Sequence, residues 1–322
     1  MTFRFDHSVA SDAASYAPAL QCRGGCTFTS HKTALCKGQS YVMITLRLHK
    51  TACYDRYMSF TSMWQWFRDV NPWRGMMLSM VIFVLYGVYA LGDSQGALRV
   101  LLIVVPVGLA LDYFLHYFHA TERKQKFPES GLITSLIVSV LMPLSVDWRI
   151  AVASVCLAIL SKHFIRFRGE HVFNPASFGV LVVSLFVAFP LAWWPDGYIW
   201  LAIILGLLNL WRTRKYAQAV SFLVPYFAFL FIINQDVTIA ALTLPFFFIC
   251  FMLPEPVTSQ GGWRGQITFG LIAGIGAILV SYAPQIGSAA LPAGLLLANL
   301  SRYLWRDPAP KYALTPGFAP QK

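Results

Sequence analysis

Charge is scarce in this chain, and acidic charge most of all. Only 12% of its 322 residues are charged, and 14 Asp and Glu stand against 25 Lys and Arg. With a mean hydropathy of +0.57, this excludes both a solvated disordered chain and an ordinary soluble domain. Recognisable enzyme motifs are missing too. There is no G-x-G-x-x-G after a strand, no Walker A and no H-E-x-x-H. Nicotinamide binding and ATP hydrolysis are therefore not activities of this chain, and any redox or transport energy comes from partners or gradients. Cysteine is sparse: Cys22, Cys26, Cys36 and Cys53 fall in the first 57 residues, at a C-x3-C-x9-C-x16-C spacing that matches no metal or iron–sulfur ligand pattern.

What remains is apolar: 57% of the residues are hydrophobic. That composition specifies an all-α polytopic membrane protein, with the lipid bilayer as its solvent. Ten candidate spans can be read, at about 75–92, 97–118, 130–146, 148–164, 178–194, 197–211, 217–234, 237–253, 267–283 and 287–304. The third and the eighth are the least regular. The membrane domain is thus 75–305. Before it come a polar, aperiodic segment, 1–57, and a Trp-bearing interfacial segment, 58–74. After it comes a tail, 306–322. The first segment reads as a disordered tail, or as an over-long translation start with the true beginning at Met58 or Met63. It lacks the apolar core of a secretory signal.

The net charge of +11 does not indicate nucleic acid, because its distribution follows the spans. Arg123, Lys124 and Lys126, then Lys162, Arg166 and Arg168, then Arg212, Arg214 and Lys215, then Arg264, and finally Arg302, Arg306, Lys311 and Lys322 lie on alternate connections or after the last span. The intervening connections hold Asp93, Asp147, Asp196 and Asp236. This is the positive-inside pattern. It predicts a bacterial-type inner (plasma) membrane location with both termini cytoplasmic, and an even number of spans.

Ten spans divide into two sets of five, and an odd number per half turns the second half upside down. The third span of each half ends at a comparable break, Leu141-Met142-Pro143 and Met252-Leu253-Pro254, with Thr134 and Thr243 upstream. Two inverted five-helix repeats are therefore expected, with a central site at the breaks.

Two polar loops next to hydrophobic segments carry the candidate chemistry. One is Phe173-Asn174-Pro175-Ala176-Ser177-Phe178-Gly179, the other Glu255-Pro256-Val257-Thr258-Ser259. Non-helical backbone near membrane depth survives only where protein or a cavity surrounds it. Glu255, fixed between Pro254 and Pro256, and Asn174, next to Pro175, can bind a flat, amide-rich heterocycle together with Thr258 and Ser177. Phe173 and Phe178 would offer stacking faces. The structural alternative is a pair of helix caps. A weaker candidate is an ion path through Asp112 and His116, four apart on one helical face, with Lys162 and His163 at the end of the fourth span. The alternative there is interfacial snorkelling plus a structural pair between Asp112 and one of the basic groups.

These residues also carry a resemblance. Ser130-Gly131-Leu132-Ile133-Thr134-Ser135-Leu136-Ile137 leading to Met142-Pro143, Lys162-His163 through Phe173-Asn174-Pro175-Ala176, the run Phe251 to Ser259, and Gly265-Gln266-Ile267-Thr268-Phe269-Gly270 are similar to the NqrB/RnfD family. That family comprises ten-span membrane subunits of the sodium-pumping NADH:quinone oxidoreductase and of the Rnf electron-transport complex. The resemblance covers about residues 75–305. It implies two inverted five-span repeats, other membrane subunits as partners, and non-covalent riboflavin at the asparagine of F-N-P-A and the acidic residue of D/E-P-x-T/S, here Asn174 and Glu255. It also implies an FMN ester-linked to the threonine of an S-G-A-T motif. This chain has no S-G-A-T, and no threonine between Phe178 and Arg212, which argues against covalent FMN and leaves an electron relay one station short. The expected function is that of a flavin-binding membrane subunit of an electron-transport complex, with coupling to cation movement. The alternatives are a transporter of flavin or another small solute without redox chemistry, and a cofactor-free scaffold. Any catalytic role belongs to the assembled oxidoreductase rather than to this subunit alone, and no metal ligand set is expected.

Overall fold

The computed structural model describes residues 72–90, 92–119, 128–194, 199–284 and 286–304. The four cysteines of 1–57, most of the interfacial segment and the tail after residue 304 lie outside these. The elements are α1 (Pro72–Ala90), α2 (Ser94–His119), α3 (Glu129–Leu141), α4 (Trp148–Phe164), a hairpin of β1 (Arg166–Phe167) and β2 (Glu170–His171), α5 (Pro175–Phe186), α6 (Ile199–Thr213), α7 (Tyr216–Asn234), α8 (Val237–Leu242), a π-helical turn (Phe248–Met252), α9 (Trp263–Ser281), a 3-10 turn (Gly287–Ala289) and α10 (Ala290–Leu304). The described residues are all-α apart from the hairpin.

Each expected span holds one α-helix, but the helices are not ten full crossings. Three are long and apolar enough to traverse a bilayer unaided: Ser94–Phe118, Tyr216–Asn234 and Trp263–Ser281. The departures have local causes. The fifth span was expected over 178–194, whereas α5 starts at Pro175, whose missing N–H costs nothing at a first turn, and stops at Phe186. The Phe189-Pro190 step then favours extended backbone, and the chain turns back onto α3: Ala192 N–H donates to Leu141 O at 3.1 Å and Trp194 Nε1 to Ser139 O at 3.0 Å. The eighth span breaks after α8 because Pro245 has no N–H to continue it, and the chain re-enters helix only as the π-turn.

Packing repeats between the halves. α1 and α6 each touch the third element of their own half, α2 packs on α4 as α7 does on α9, and α4 packs on α5 as α9 does on α10; across the halves α1 meets α6 and α5 meets α10. Two glycines mark the equivalence. A Cβ on Gly179 of α5 would lie 2.2 Å from Ser154 O and 2.7 Å from Ala158 N of α4; a Cβ on Gly294 of α10 would lie 2.3 Å from Ala273 O and 2.7 Å from Ala277 N of α9. Both positions therefore need glycine for backbone to approach backbone.

Polar side chains inside the core satisfy themselves locally. On α3, Thr134 donates to Ser130 O, Ser135 to Gly131 O and Ser139 to Ser135 O, all at 2.8–2.9 Å. Four-back hydrogen bonds of this kind let hydroxyls sit in an apolar interior.

Candidate functional site

Asn174 and Glu255 meet. They are 81 residues apart in sequence, yet Asn174 Nδ2 donates to Glu255 Oε2 at 2.9 Å, and both are buried, at 1% and 8% exposure. Asn174 is also the N-cap of α5, its Oδ1 accepting from Ser177 N–H at 3.0 Å. Capping and binding are thus not alternatives: one face of the amide holds the helix start and the other holds the carboxylate. Thr258 Oγ1 donates to the same Glu255 Oε2 at 2.6 Å, and Ser259 Oγ to the Glu255 carbonyl at 2.6 Å. With Oε2 doubly engaged, Oε1 is the carboxylate atom left to face a ligand. His171, on β2, brings its Nε2 to 3.5 Å from Oε1, without hydrogen-bond geometry.

The loop that presents Glu255 is bound through its carbonyls by side chains from four neighbouring helices. Asn209 of α6 donates to Cys250 O (2.6 Å), Gln218 of α7 to Leu253 O (2.6 Å), Asn299 of α10 to Thr258 O (3.3 Å), Gln266 of α9 to Gly261 O (3.0 Å) and Arg302 of α10 to Val257 O. Lys215, between α6 and α7, donates to Gln260 O. Burial, with Arg302 adding to it, lowers the Lys215 ammonium to a pKa of about 8. Asn299 also accepts from Asn174 N–H at 2.8 Å, so it joins the two polar loops. These side chains replace the helical partners that the break at Pro245 and Pro254 removes.

The pair stands on the wall of a cleft lined by Met76, Ser130, Ile133, Thr134, Ile137, Asn174, Pro175, Ala176, Phe251 and Glu255. The space it encloses is about 10 Å³, room for about one water molecule and far below the range for small-molecule sites. Phe173 and Phe178, expected as stacking faces, stack on each other instead, with centroids 5.6 Å apart. The apolar wall comes from Met76, Ile133, Ile137 and Phe251. Pro256 is half-buried beside the cleft, and Thr258 grips Glu255 from within the loop.

Asp112 and His116 part company. Asp112 is buried and bound by Lys162 Nζ at 2.7 Å and His163 Nε2 at 2.7 Å, whereas His116, one turn on, is exposed. Lys162 does not snorkel: its side chain is 8% exposed, and it also donates to Ser130 Oγ at 3.3 Å. Asp112 rests against Gly131, where a Cβ would lie 2.5 Å from its Oδ2.

Sequence reasoning missed Asn299, Gln218, His171, Ser130 and Met76. A lone Asn in the apolar run of the last span was a usable signal, since polar groups at that depth are functional by default. His171 carried none, because the short hairpin has no hydrophobic pattern. Its turn is set by Arg168 and Gly169, both at positive φ.

Residues 70–202 match the model of the NQR2, RnfD, RnfE family, so that stretch is similar to the membrane subunits the family groups together. The matched stretch includes Asn174 and ends before Glu255, so Glu255 enters the site through its contacts. No curated protein matched the chain.

Proposed function

We propose that this chain is an NqrB/RnfD-type membrane subunit that holds a non-covalent flavin of the riboflavin type in the Asn174–Glu255 cleft and takes part in electron transfer within a larger membrane complex. The observation that carries this is the buried amide–carboxylate pair on the cleft wall, with Glu255 Oε1 left open. The donor and acceptor set suits the group, while the cleft as it stands has room for about one water, so a ring would enter only with the lining moved apart. An imide N–H of the ring can donate to Oε1, the second proton of Asn174 Nδ2 can donate to a ring carbonyl, and Met76, Ile133 and Phe251 supply apolar walls. A bound flavin would supply one- and two-electron redox chemistry. The protein's part is to bind and orient the ring, and to keep water from it through the packed polar loop. We place the chain in the plasma membrane with both termini in the cytoplasm, on the alternation of basic and acidic connections. Cation coupling belongs to the same reading. Asp112 is its candidate carboxylate, and the ion pair with Lys162 would have to open for Asp112 to carry a cation.

The test is the absorption spectrum of detergent-purified protein, taken after reconstitution with riboflavin and again after acid precipitation. Yellow colour released to the supernatant supports the reading, and colour retained in the pellet means covalent flavin. Asn174→Leu with Glu255→Leu is expected to abolish flavin binding while the protein still inserts; unchanged flavin content in that variant refutes the site. A second reading, a solute carrier, is favoured by the interrupted eighth span beside the cleft. Uptake of labelled riboflavin into proteoliposomes without redox change would select it.

A further inference from the structure

We infer that Asn299 and Arg302, near the end of α10, are positioning residues that set the width of the Asn174–Glu255 cleft by tying together the two polar segments that form its wall. Each side chain bonds in two directions. Asn299 accepts from Asn174 N–H at 2.8 Å and donates to Thr258 O at 3.3 Å. Arg302, three residues on along the same helical face, donates through one guanidinium nitrogen to Val257 O and through another to Glu170 Oε2. One residue thus spans 174 to 258 and the other 170 to 257. The first segment, 170–174, leads from β2 into α5. The second is the loop that presents Glu255. Both are drawn against one helix.

That helix is held by backbone contact, since Gly294 has no room for a Cβ against Ala273 O and Ala277 N of α9. Segment 170–174 instead follows a hairpin of two-residue strands with an exposed turn. Phe167 of that hairpin adds an edge-on contact to Tyr303 of α10, with centroids 5.2 Å apart. The two ties differ in exposure. Asn299 is 0% exposed, whereas Glu170 keeps 38% of its side chain in contact with solvent. Water competes for a carboxylate at such a site, so the Arg302–Glu170 tie is the one that opens first. Lys215 stands close enough to repel Arg302, which makes Glu170 the counter-ion that keeps the guanidinium in place.

With both ties made, Asn174 Nδ2 and Glu255 Oε2 sit 2.9 Å apart and the cleft has room for about one water. Release of Arg302 from Glu170 frees segment 170–174 to move away from the Glu255 loop, and the cleft widens toward the size a small molecule needs. What enters is then decided by a pair of residues outside the cleft lining. This holds for any ligand of the cleft, flavin or not.

The probe is a thiol on the cleft wall. Full-length Thr134→Cys in proteoliposomes is alkylated with iodoacetamide, and the rate is read by peptide mass spectrometry, alone and combined with Arg302→Gln, Arg302→Lys, Glu170→Ala or Gln266→Ala. Thr134 is 5% exposed, so the rate reports how often the cleft opens. Arg302→Gln and Glu170→Ala should raise it by about tenfold or more. Arg302→Lys should raise it nearly as much, because an ammonium does not reproduce the two-directional fork. Gln266→Ala removes a bond to the same loop, at Gly261 O, that ties nothing to the first half, and should leave the rate unchanged. Buried Cys250 in the same samples is the internal standard and should stay slow. An unchanged rate in Glu170→Ala overturns the proposal whatever Arg302→Gln does, and Glu170→Ala carries the test alone if Arg302→Gln does not insert. An equal rise in Gln266→Ala, or a rise matched at Cys250, also overturns it, since either means general loosening. Flavin binding is read separately from the absorption spectrum, so failure here leaves that reading standing.

Discussion

Adding a single methyl group at Gly179 should break the contact between α4 and α5. A Cβ there would sit 2.2 Å from the Ser154 carbonyl oxygen and 2.7 Å from Ala158 N. Real Cβ contacts essentially never fall under 3.0 Å, so the helices must separate by about 0.8 Å. The obstruction is backbone, which cannot rotate aside as a side chain can. Overpacking a tight interior costs about 1–3 kcal/mol, and more when backbone must move. The same reasoning applies to Gly294→Ala, where the nearest atom, Ala273 O, would be 2.3 Å away. Gly274 is the control. It also lies on a packed helix face, but its Cβ would meet nothing nearer than Phe222 O at 3.2 Å, and alanine is the better helix former. The assay is thermal melting of the detergent-purified variants, followed by fluorescence-detected size exclusion. Gly179→Ala and Gly294→Ala should both melt well below wild type, by similar amounts, and Gly274→Ala close to it. Wild-type melting in the first two would refute the backbone-on-backbone packing. A loss confined to one of them would refute its equivalence in the two halves.

Three further outcomes follow from the site. Glu255→Leu should be less stable than Glu255→Gln by roughly 2 kcal/mol or more, because leucine leaves Asn174 Nδ2 and Thr258 Oγ1 buried without an acceptor; equal melting of the two would show that the carboxylate's hydrogen bonds do not hold the loop. Lys215 has its folded pKa lowered by burial to about 8 from 10.5. Between those values the unfolded chain binds more protons, so stability should rise with pH from about 8 upward and show no such gain below it. The melting difference between wild type and Lys215→Met, measured at pH 7.5 and 9.5, should therefore shift in favour of wild type at the higher pH, and no shift would contradict the burial of this ammonium. Trp194→Ala removes a 7%-exposed indole that donates to Ser139 O, and should cost about 3–5 kcal/mol, visible as a melting loss larger than that of the lipid-facing Trp200→Ala.

The membrane class, the approximate place of the described helices and the association of the two polar loops were legible in the sequence for physical reasons. Apolar runs must be helical in lipid, and prolines beside Asn174 and Glu255 mark where the helical hydrogen-bond ladder stops. Helix lengths were less legible. Nothing in the hydropathy of 178–194 separates the helical turns of α5 from the extended stretch that follows, since both are apolar; only the Phe189-Pro190 step distinguishes them. The stacking faces were misplaced because adjacency to Asn174 in sequence is not adjacency to the cleft. α5 carries Phe178 away from the wall, while Met76 and Phe251 arrive from elements far off in sequence. Asp112 and His116 share a helical face by spacing, but the depth of α4 against α2 decides which of them is buried, and spacing carries no information about depth.

The two halves have the same packing but opposite chemistry at their breaks. At the second break, the carbonyls of Leu253, Val257, Thr258 and Gln260 are met by Gln218, Arg302, Asn299 and Lys215, which holds a polar loop open beside a cleft. At the first break, the Leu141 and Ser139 carbonyls are met by Ala192 N–H and the Trp194 indole, and Trp194 lies against Gly87 of α1, where a Cβ would be 2.6 Å from its ring. The segment that does this is 187–194, directly after α5. It is turned inward and used as packing, with Ser288 of the second half donating to Phe189 O at 3.1 Å. The asymmetry therefore gathers the buried polar side chains at the second break, where Asn174 and Glu255 meet, while the first break is closed by backbone and an indole.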